Sequence, residues 1–564
     1  MTAAIAQETT PVFDPNDLVA DRLVQLLDTG AAIWPDQPAF TMVLPNGLAG
    51  TLSFGRVKAL SDAVAHYLRE ERELPPGTPV AVQAPNCLAY PIVAAGILKA
   101  GMILTGINPL FTPTETRHQL QDSGAKLLFT IDLFADRLDK ALEGTAVEEV
   151  IGASLADGLP GAKAAVLKTA LTLKRQVPKP SRSLLPLKAV LRAGARYAAG
   201  DVARLTDARS LDDTVLFQYT SGTTGRSKGA EMSERNILAN VTQTARLNGE
   251  VYRPAQETAL VVLPLYHAYA LSFALMQAAR RGLHCVLVPK PRPLSNLKKV
   301  FQRHDITVLP GINTLFQGLL AEHWFQARPP KSLHFCVSGA APLQQVTRER
   351  WEALTGCPIY EGYGLTEGTC TVSFPVVGRP QRPGTVGVPL PGTDLKLVGE
   401  DGADVAPGQP GEIVIRGPQV VKGYLNQPEA TAETIKNGWL HTGDIGVIDP
   451  DGQLRIVDRK KDMIIVSGFN VYPAELEDCL ARHPEIGEVA VVGAPCGATG
   501  EQVVAYVVPK ARSLTEAAVA AHAKEHLTNY KRPRRVVFVD ELPKSPVGKI
   551  LRRELREDAK RFAD

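Results

Sequence analysis

The twelve residues from Tyr219 to Ala230, YTSGTTGRSKGA, carry the strongest chemical signal in the chain. Gly222, Gly225 and Gly229 let the backbone curl so that N–H groups converge. The hydroxyls of Thr220, Ser221, Thr223 and Thr224 and the Lys228 ammonium add further donors. A set of convergent donors of this kind suits a polyphosphate. The apolar run Val215-Leu216-Phe217 reads as a strand before the loop, and Glu234–Leu247 reads as a helix after it.

The common nucleotide and hydrolase signatures fail residue by residue. Counting from Gly222, a Walker A loop requires Gly at 227 and Ser or Thr at 229, whereas the chain has Ser227 and Gly229. In Gly362-Tyr363-Gly364-Leu365-Thr366-Glu367-Gly368 the third glycine falls one residue too late for a dinucleotide fingerprint. Neither Ser221 nor Ser338 lies in a GxSxG elbow, which disfavours a serine hydrolase.

The elements around this loop read as alternating helices and short apolar strands from Leu18 to about Ser154, with helices over Ser61–Glu70 and Pro91–Gly101 and a buried strand over Pro79–Ala84. The same rhythm returns at Thr258–Leu263, Cys285–Val288, Ile306–Leu309 and His334–Val337. Such alternation predicts parallel sheets covered by helices. From about Thr385 the texture changes to short strands with Pro/Gly turns, a small β-rich subdomain. After the charged run Arg459-Lys460-Lys461-Asp462 a compact α+β pattern follows. The expected fold is therefore multidomain α/β, with residues 1–458 forming a large domain of mixed and parallel sheets (β-rich part 385–458) and residues 459–564 a small domain. One stretch departs from this rhythm. Ala162–Ala199 holds nine Lys/Arg and no Asp or Glu, with apolar residues loosely at helical spacing on both sides of Pro178–Pro180. It reads either as a pair of basic amphipathic helices lying on an anionic membrane or as a solvated insertion packed on the domain.

Composition removes several classes. Hydrophobic residues make up 45% and charged residues 21% of the 564, which excludes a disordered or fibrous chain. Lys+Arg 62 against Asp+Glu 59 gives no support to a nucleic-acid binder. The seven cysteines contain no CxxC spacing, so neither a zinc site nor a redox motif is expected, and they read as buried thiols of a reducing compartment. With no signal-peptide pattern and no apolar run of membrane length, a cytoplasmic location is expected.

Taken with four later segments, the loop resembles the adenylate-forming superfamily of acyl-CoA synthetases, luciferases and peptide-synthetase adenylation domains. The segments are Glu361–Glu367 (EGYGLTE), Gly438–Asp444 (GWLHTGD), Asp458–Asp462 (DRKKD) with Ser467–Pro473 (SGFNVYP), and Pro543–Arg553 (PKSPVGKILRR), in the family's order. Within it, Asn437–Asp462, Pro264–Leu271 and Gly311–Phe316 are similar to bacterial long-chain fatty acid–CoA ligases. The resemblance implies a two-step reaction. ATP and a fatty acid give an acyl-adenylate and pyrophosphate with Mg²⁺, and the CoA thiol then displaces AMP. It also implies a mobile C-terminal domain that rotates about a hinge near 459–462 between the two steps. Medium-chain or aryl acids, or transfer to a carrier protein, are the alternatives.

Residue roles follow from the same resemblance. Thr220 to Lys228 would hold the β and γ phosphates, with Tyr219, Gly339, Ala340, Glu361, Gly362, Tyr363 and Gly364 near the nucleotide. Thr366 would touch the α-phosphate, and Glu367 is the candidate Mg²⁺ ligand. Asp444 and Arg459 would bind the ribose, Lys461 matches the hinge, and Lys549 is the candidate adenylation lysine. Gly468 matches the loop that leaves a path for the CoA arm, and His267 the acyl-pocket histidine. Lys544, Arg552 and Arg553 read as solvated or phosphate-adjacent cations. Two positions depart from the family: Ser227 stands where Pro is usual, and Leu271 occupies the place of an aromatic gate four residues after His267. Dimers are common among similar enzymes, so a homodimer is one expected assembly.

Overall fold

The computed structural model describes residues 13–563 except 15, 181, 198–200, 221–226 and 249–250. Two seven-stranded sheets form the large domain. One has the order 185–186, 149–153, 127–131, 79–83, 103–107, 214–220, 228–233, and the other 359–361, 335–338, 308–311, 258–261, 284–287, 38–43, 49–53. Each is parallel except for one antiparallel strand at an edge, 228–233 in the first and 49–53 in the second. Strands such as Ile103–Ile107 and Leu127–Ile131 are buried at every position, as strands covered on both faces must be. Helices such as Ala89–Lys99, buried along its whole length, supply the cover. This is the α/β layering expected from the alternating pattern.

The first departure from expectation lies beside the phosphate loop. Lys228–Ser233 is a strand that turns back antiparallel on Thr214–Thr220, and only then does the helix Glu234–Asn248 begin. The described residues on either side of 221–226 are therefore paired antiparallel strands, and the helix begins only after the second of them. In KGAEMS the stretch from Gly229 to Ser233 is largely buried, so packing on the sheet outweighs the glycine and glutamate that weaken its strand propensity.

A five-stranded sheet follows, built from 394–398, 411–416, 435–436, 439–448 and 454–459 around Leu397, Ile413, Ile415, Leu440 and Leu454. From Ile464 onward the chain forms a second five-stranded sheet, with 500–509 at its centre, paired with 464–466, 486–496 and 535–538. Strand periodicity of two sorts its residues cleanly. Val489, Val491, Val503 and Ala505 share one core with Leu476, Leu480 and Val519 from two helices. Ala490, Val492, Val504 and Tyr506 share the other with Leu555 and Ala559 from the last helix, Arg552–Ala559.

The basic stretch divides in two. Leu187–Gly194 buries Leu187, Val190 and Gly194 against the domain. Gly161–Leu173 buries Ala164, Leu167 and Leu171 but leaves Val166 64% and Leu173 78% exposed. Among the described residues no helix is long and apolar enough to cross a membrane.

Candidate active site

In open α/β sheets ligands gather beyond the carboxyl ends of the strands. The second sheet ends there in three loops. Gly339 N–H donates to Gly311 O (3.4 Å), and Gly362 N–H to Ser338 O (2.9 Å), which lines up Gly311, Ser338–Ala340 and Glu361–Gly364 side by side. Gly364 permits the tight crossing of this chain: a Cβ there would sit 1.6 Å from Cys370 O. The first sheet contributes Tyr219 and Thr220 at the end of 214–220, paired with Gly229 and Lys228 across the turn. Tyr219 donates its hydroxyl to Asp122 (2.7 Å). Ser221, Gly222, Thr223, Thr224 and Gly225 lie outside the described residues.

A buried polar group sits beneath these loops. Asp444, only 4% exposed, accepts from the Tyr363 hydroxyl at 2.7 Å through Oδ2 and faces Arg459 Nε at 3.0 Å through Oδ1. The adjacent strands 439–448 and 454–459 pair Asp444 with Arg459 directly. Both carboxylate oxygens thus already have a protein partner, and each keeps a second lone pair for a ligand hydroxyl. Tyr363, expected to lie near the nucleotide, sends its hydroxyl to Asp444. Glu361 is turned inward, accepting from Leu343 N–H (2.8 Å) and lying 3.2 Å from Arg348 Nη2. Burial pushes its carboxyl up to about 7.

Lys549 reaches this group from the C-terminal domain. It is held by a turn in which Ser545 N–H donates to Lys549 O (2.7 Å) and Lys549 N–H to Ser545 Oγ (3.2 Å). Its ammonium is pushed down to about 8, first by burial and then by the nearby Arg459, against the opposing pull of Asp444. His267, at the start of the short helix Ala268–Leu271, is pushed down to about 4 by burial and by Lys549 itself. The imidazole is therefore neutral at ordinary pH, and the lysine is mostly charged. Hydrogen bonds join the C-terminal domain to the large one at several points, among them Ala474 N–H to Asp458 (2.9 Å). Thr314 donates to Gly548 O (3.1 Å), Gln317 to Gly487 O (2.6 Å) and Gln345 N–H to Asp478 (3.1 Å).

Thr366 and Glu367 lie on a 3₁₀ turn, Thr366–Gly368. Glu367 Oε1 accepts from the Tyr424 hydroxyl at 2.6 Å, and the Tyr424 ring lies 5.1 Å from Lys228 Nζ. Tyr424 escaped the sequence reading because its partners lie 57 and 196 positions away, in Glu367 and Lys228, and the GYLNQP segment reads only as a turn. Glu367 Oε2 has no protein partner among the described residues, and no group of three metal-ligating side chains gathers there or elsewhere among them. A single free hard oxygen beside a phosphate loop fits Mg²⁺, which commonly takes one carboxylate with phosphates and waters.

The remaining candidates lie elsewhere. Lys461 is exposed. Beside it Asp462 is buried between Arg552 (3.8 Å) and Arg556. Arg552, read as solvated or phosphate-adjacent, is instead paired with Glu477 at 2.6 Å, and Lys544 with Glu488 at 2.6 Å. Gly468 occupies the tip of a two-residue hairpin between 464–466 and 469–471, with Ser467 at φ 52° and Gly468 at φ 82° and open space where a Cβ would be. Successive positive φ angles suit a type I′ turn, which glycine adopts without steric cost.

Comparison with known proteins agrees with this geometry. The sequence profile described as AMP-binding enzyme matches residues 27–425, and that described as AMP-binding enzyme C-terminal domain matches 475–549. A long-chain-fatty-acid–CoA ligase of Escherichia coli O157:H7 is 43% identical over 561 residues, covering 98% of each chain. Another so named, from Bacillus subtilis (strain 168), is 35% identical over 96% of this chain and 97% of its own. Among solved structures, an anthranilate CoA ligase in complex with anthranoyl-AMP superposes with TM-score 0.84 at 25% identity, over 98% of this chain and 99% of that one.

Proposed function

The chain belongs to the AMP-binding enzyme family, and from that premise we propose that it is a long-chain fatty acid–CoA ligase working through an acyl-adenylate. The observation that carries the reading is Lys549, delivered by the C-terminal domain into the same electrostatic neighbourhood as His267, Asp444 and Arg459.

In the first step a carboxylate oxygen of the acid attacks the α-phosphorus of ATP, and the bond to pyrophosphate breaks. Both reactants are anions, so a fixed cation between them lowers the barrier. Lys549 would bridge the carboxylate and the α-phosphate. Lys228 and the 220–228 loop hold the departing phosphates, and Thr366 meets the α-phosphate. Asp444 and Arg459 take the ribose hydroxyls, and Tyr363 steadies Asp444. Glu367 would hold Mg²⁺, whose chemistry there is to screen the triphosphate charge. In the second step the CoA sulfur bonds to the acyl carbon as the acyl C–O bond to AMP breaks, and the thiol proton is lost. We assign the hinge to 459–462, between a large domain of residues 1–458 and a small one of 459–564, and the second step to an orientation that brings Gly468 forward.

The substrate is tested by ATP-dependent pyrophosphate release across carboxylates of increasing length. The rate is expected to rise toward sixteen- and eighteen-carbon acids; a peak on short or aromatic acids would retain the mechanism and overturn the substrate.

A cytoplasmic enzyme that collects its substrate from a bilayer is the setting we propose. The exposed Val166 and Leu173, seven positions apart and flanked by Lys168, Lys174 and Arg175, would meet an anionic lipid surface. Replacing both apolar residues with Asp is expected to lower co-sedimentation with anionic vesicles without changing turnover of a soluble medium-chain acid. Unchanged sedimentation contradicts the membrane role.

A further inference from the structure

No step above uses Tyr424, yet this one side chain touches two of the charged groups that the reaction needs. Its hydroxyl donates to Glu367 at 2.6 Å, and its ring face lies 5.1 Å from the Lys228 ammonium. We propose that Tyr424 is a positioning residue that keeps Glu367 and Lys228 apart and holds each ready for the triphosphate. The inference rests on the reading of this site as the adenylation site.

The backbone fixes the ring from both sides. Val421 N–H donates to Glu367 O (3.0 Å), tying the segment to the turn that carries the carboxylate. Glu231 N–H donates to Gly423 O (3.0 Å) and Leu425 N–H to Gly229 O (2.8 Å), which stitches the same segment to the strand that begins at Lys228. Thr431 Oγ1 accepts from Tyr424 N–H at 2.9 Å. The ring is thus a wedge between two elements whose charges are opposite.

A carboxylate and an ammonium this placed, with nothing between them, would form an ion pair and withdraw both groups from a ligand. Here Lys228 Nζ instead lies over the Tyr424 ring and Glu367 Oε1 accepts from the Tyr424 hydroxyl. The aromatic face attracts the cation through its quadrupole, a softer hold that phosphate oxygens can outcompete. The phenol O–H occupies Oε1 and orients the carboxylate, so that Oε2 remains for a hard cation.

ATP titration calorimetry with and without Mg²⁺ separates the two effects. Tyr424→Phe keeps the ring and loses the hydroxyl. Metal-free ATP affinity should match wild type, while the gain in affinity conferred by Mg²⁺ shrinks by about three- to tenfold. Tyr424→Leu removes the ring and should weaken ATP binding without the metal as well. Because Tyr424 acts through Glu367, the double variant Tyr424→Phe/Glu367→Gln should respond to Mg²⁺ no worse than Glu367→Gln alone. Tyr424→Phe is nearly isosteric, so its melting curve should match wild type and keep the test sound should the leucine variant fold poorly. Wild-type Mg²⁺ response in Tyr424→Phe, or additive losses in the double variant, overturns the inference alone. Failure of the wild-type protein to bind ATP with Mg²⁺ overturns the reading of the site on which it rests.

Discussion

Lys549→Ala abolishes acyl-adenylate formation, a loss of about 10²–10³-fold or more, and leaves thioester formation from supplied acyl-adenylate near the wild-type rate. The asymmetry follows from the charges. In the first step two anions must approach, and Lys549 is a cation in the neighbourhood of His267, Arg459 and Asp444. In the second step a thiol attacks an already activated carbonyl, and that lysine has no bond to make. The pH dependence carries the same signature. Burial holds Lys549 down to about 8, so its charge, fully present well below pH 8, is lost as pH rises through that value. The adenylation kcat/KM, which reports the free enzyme, should therefore decline above pH about 8. Lys549→Arg, although slower, should not show that decline, because guanidinium stays charged. His267, held near 4, contributes nothing above pH 5. Equal loss of both half-reactions in Lys549→Ala refutes the assignment.

The reverse pattern is expected for Gly468→Leu. A Cβ added at Gly468 would meet nothing within 4 Å in this arrangement, so a side chain there should leave adenylation nearly intact. The φ of 82° makes the substitution locally strained by about 1 kcal/mol, absorbed at an exposed turn. Thioester formation should fall by about 10²-fold, because a branched side chain blocks the CoA arm when the domain turns. The measurement is single-turnover acyl-CoA formation from enzyme preloaded with acyl-adenylate. Normal thioester formation in this variant would show that the tip stays clear of the second step. Gly468→Ala should lie between the two.

Legibility varied with how far a residue's partners lie along the chain. The C-terminal domain was legible as a compact α+β pattern, but not which of Val489 to Val492 and of Val503 to Tyr506 faces which core, because both faces of those strands are apolar. Buried parallel strands such as Pro79–Gln83 were visible because a short apolar run is a local signal. The hairpin strand Lys228–Ser233 was not: its propensities are weak and its stability comes from pairing and burial. The site divides similarly. Charged residues in recognisable segments (Glu367, Asp444, Arg459, Lys549) could be named from type and order. What each side chain bonds could not. Glu361 faces Arg348 and the Leu343 amide, Arg552 is tied up by Glu477, and Tyr424 lies between Lys228 and Glu367. Each of these is a long-range contact that leaves no periodic trace.

The central claim is that one site first makes an adenylate and then spends it on CoA. The most direct measurement mixes the enzyme in excess with ATP, Mg²⁺ and a sixteen-carbon fatty acid without CoA, then adds CoA. A rapid burst of pyrophosphate close to the amount of the limiting acid, with acyl-AMP retained until CoA converts it to acyl-CoA and AMP, is the predicted result. Acyl-CoA formed with ADP and phosphate, or no pyrophosphate before CoA is added, contradicts it.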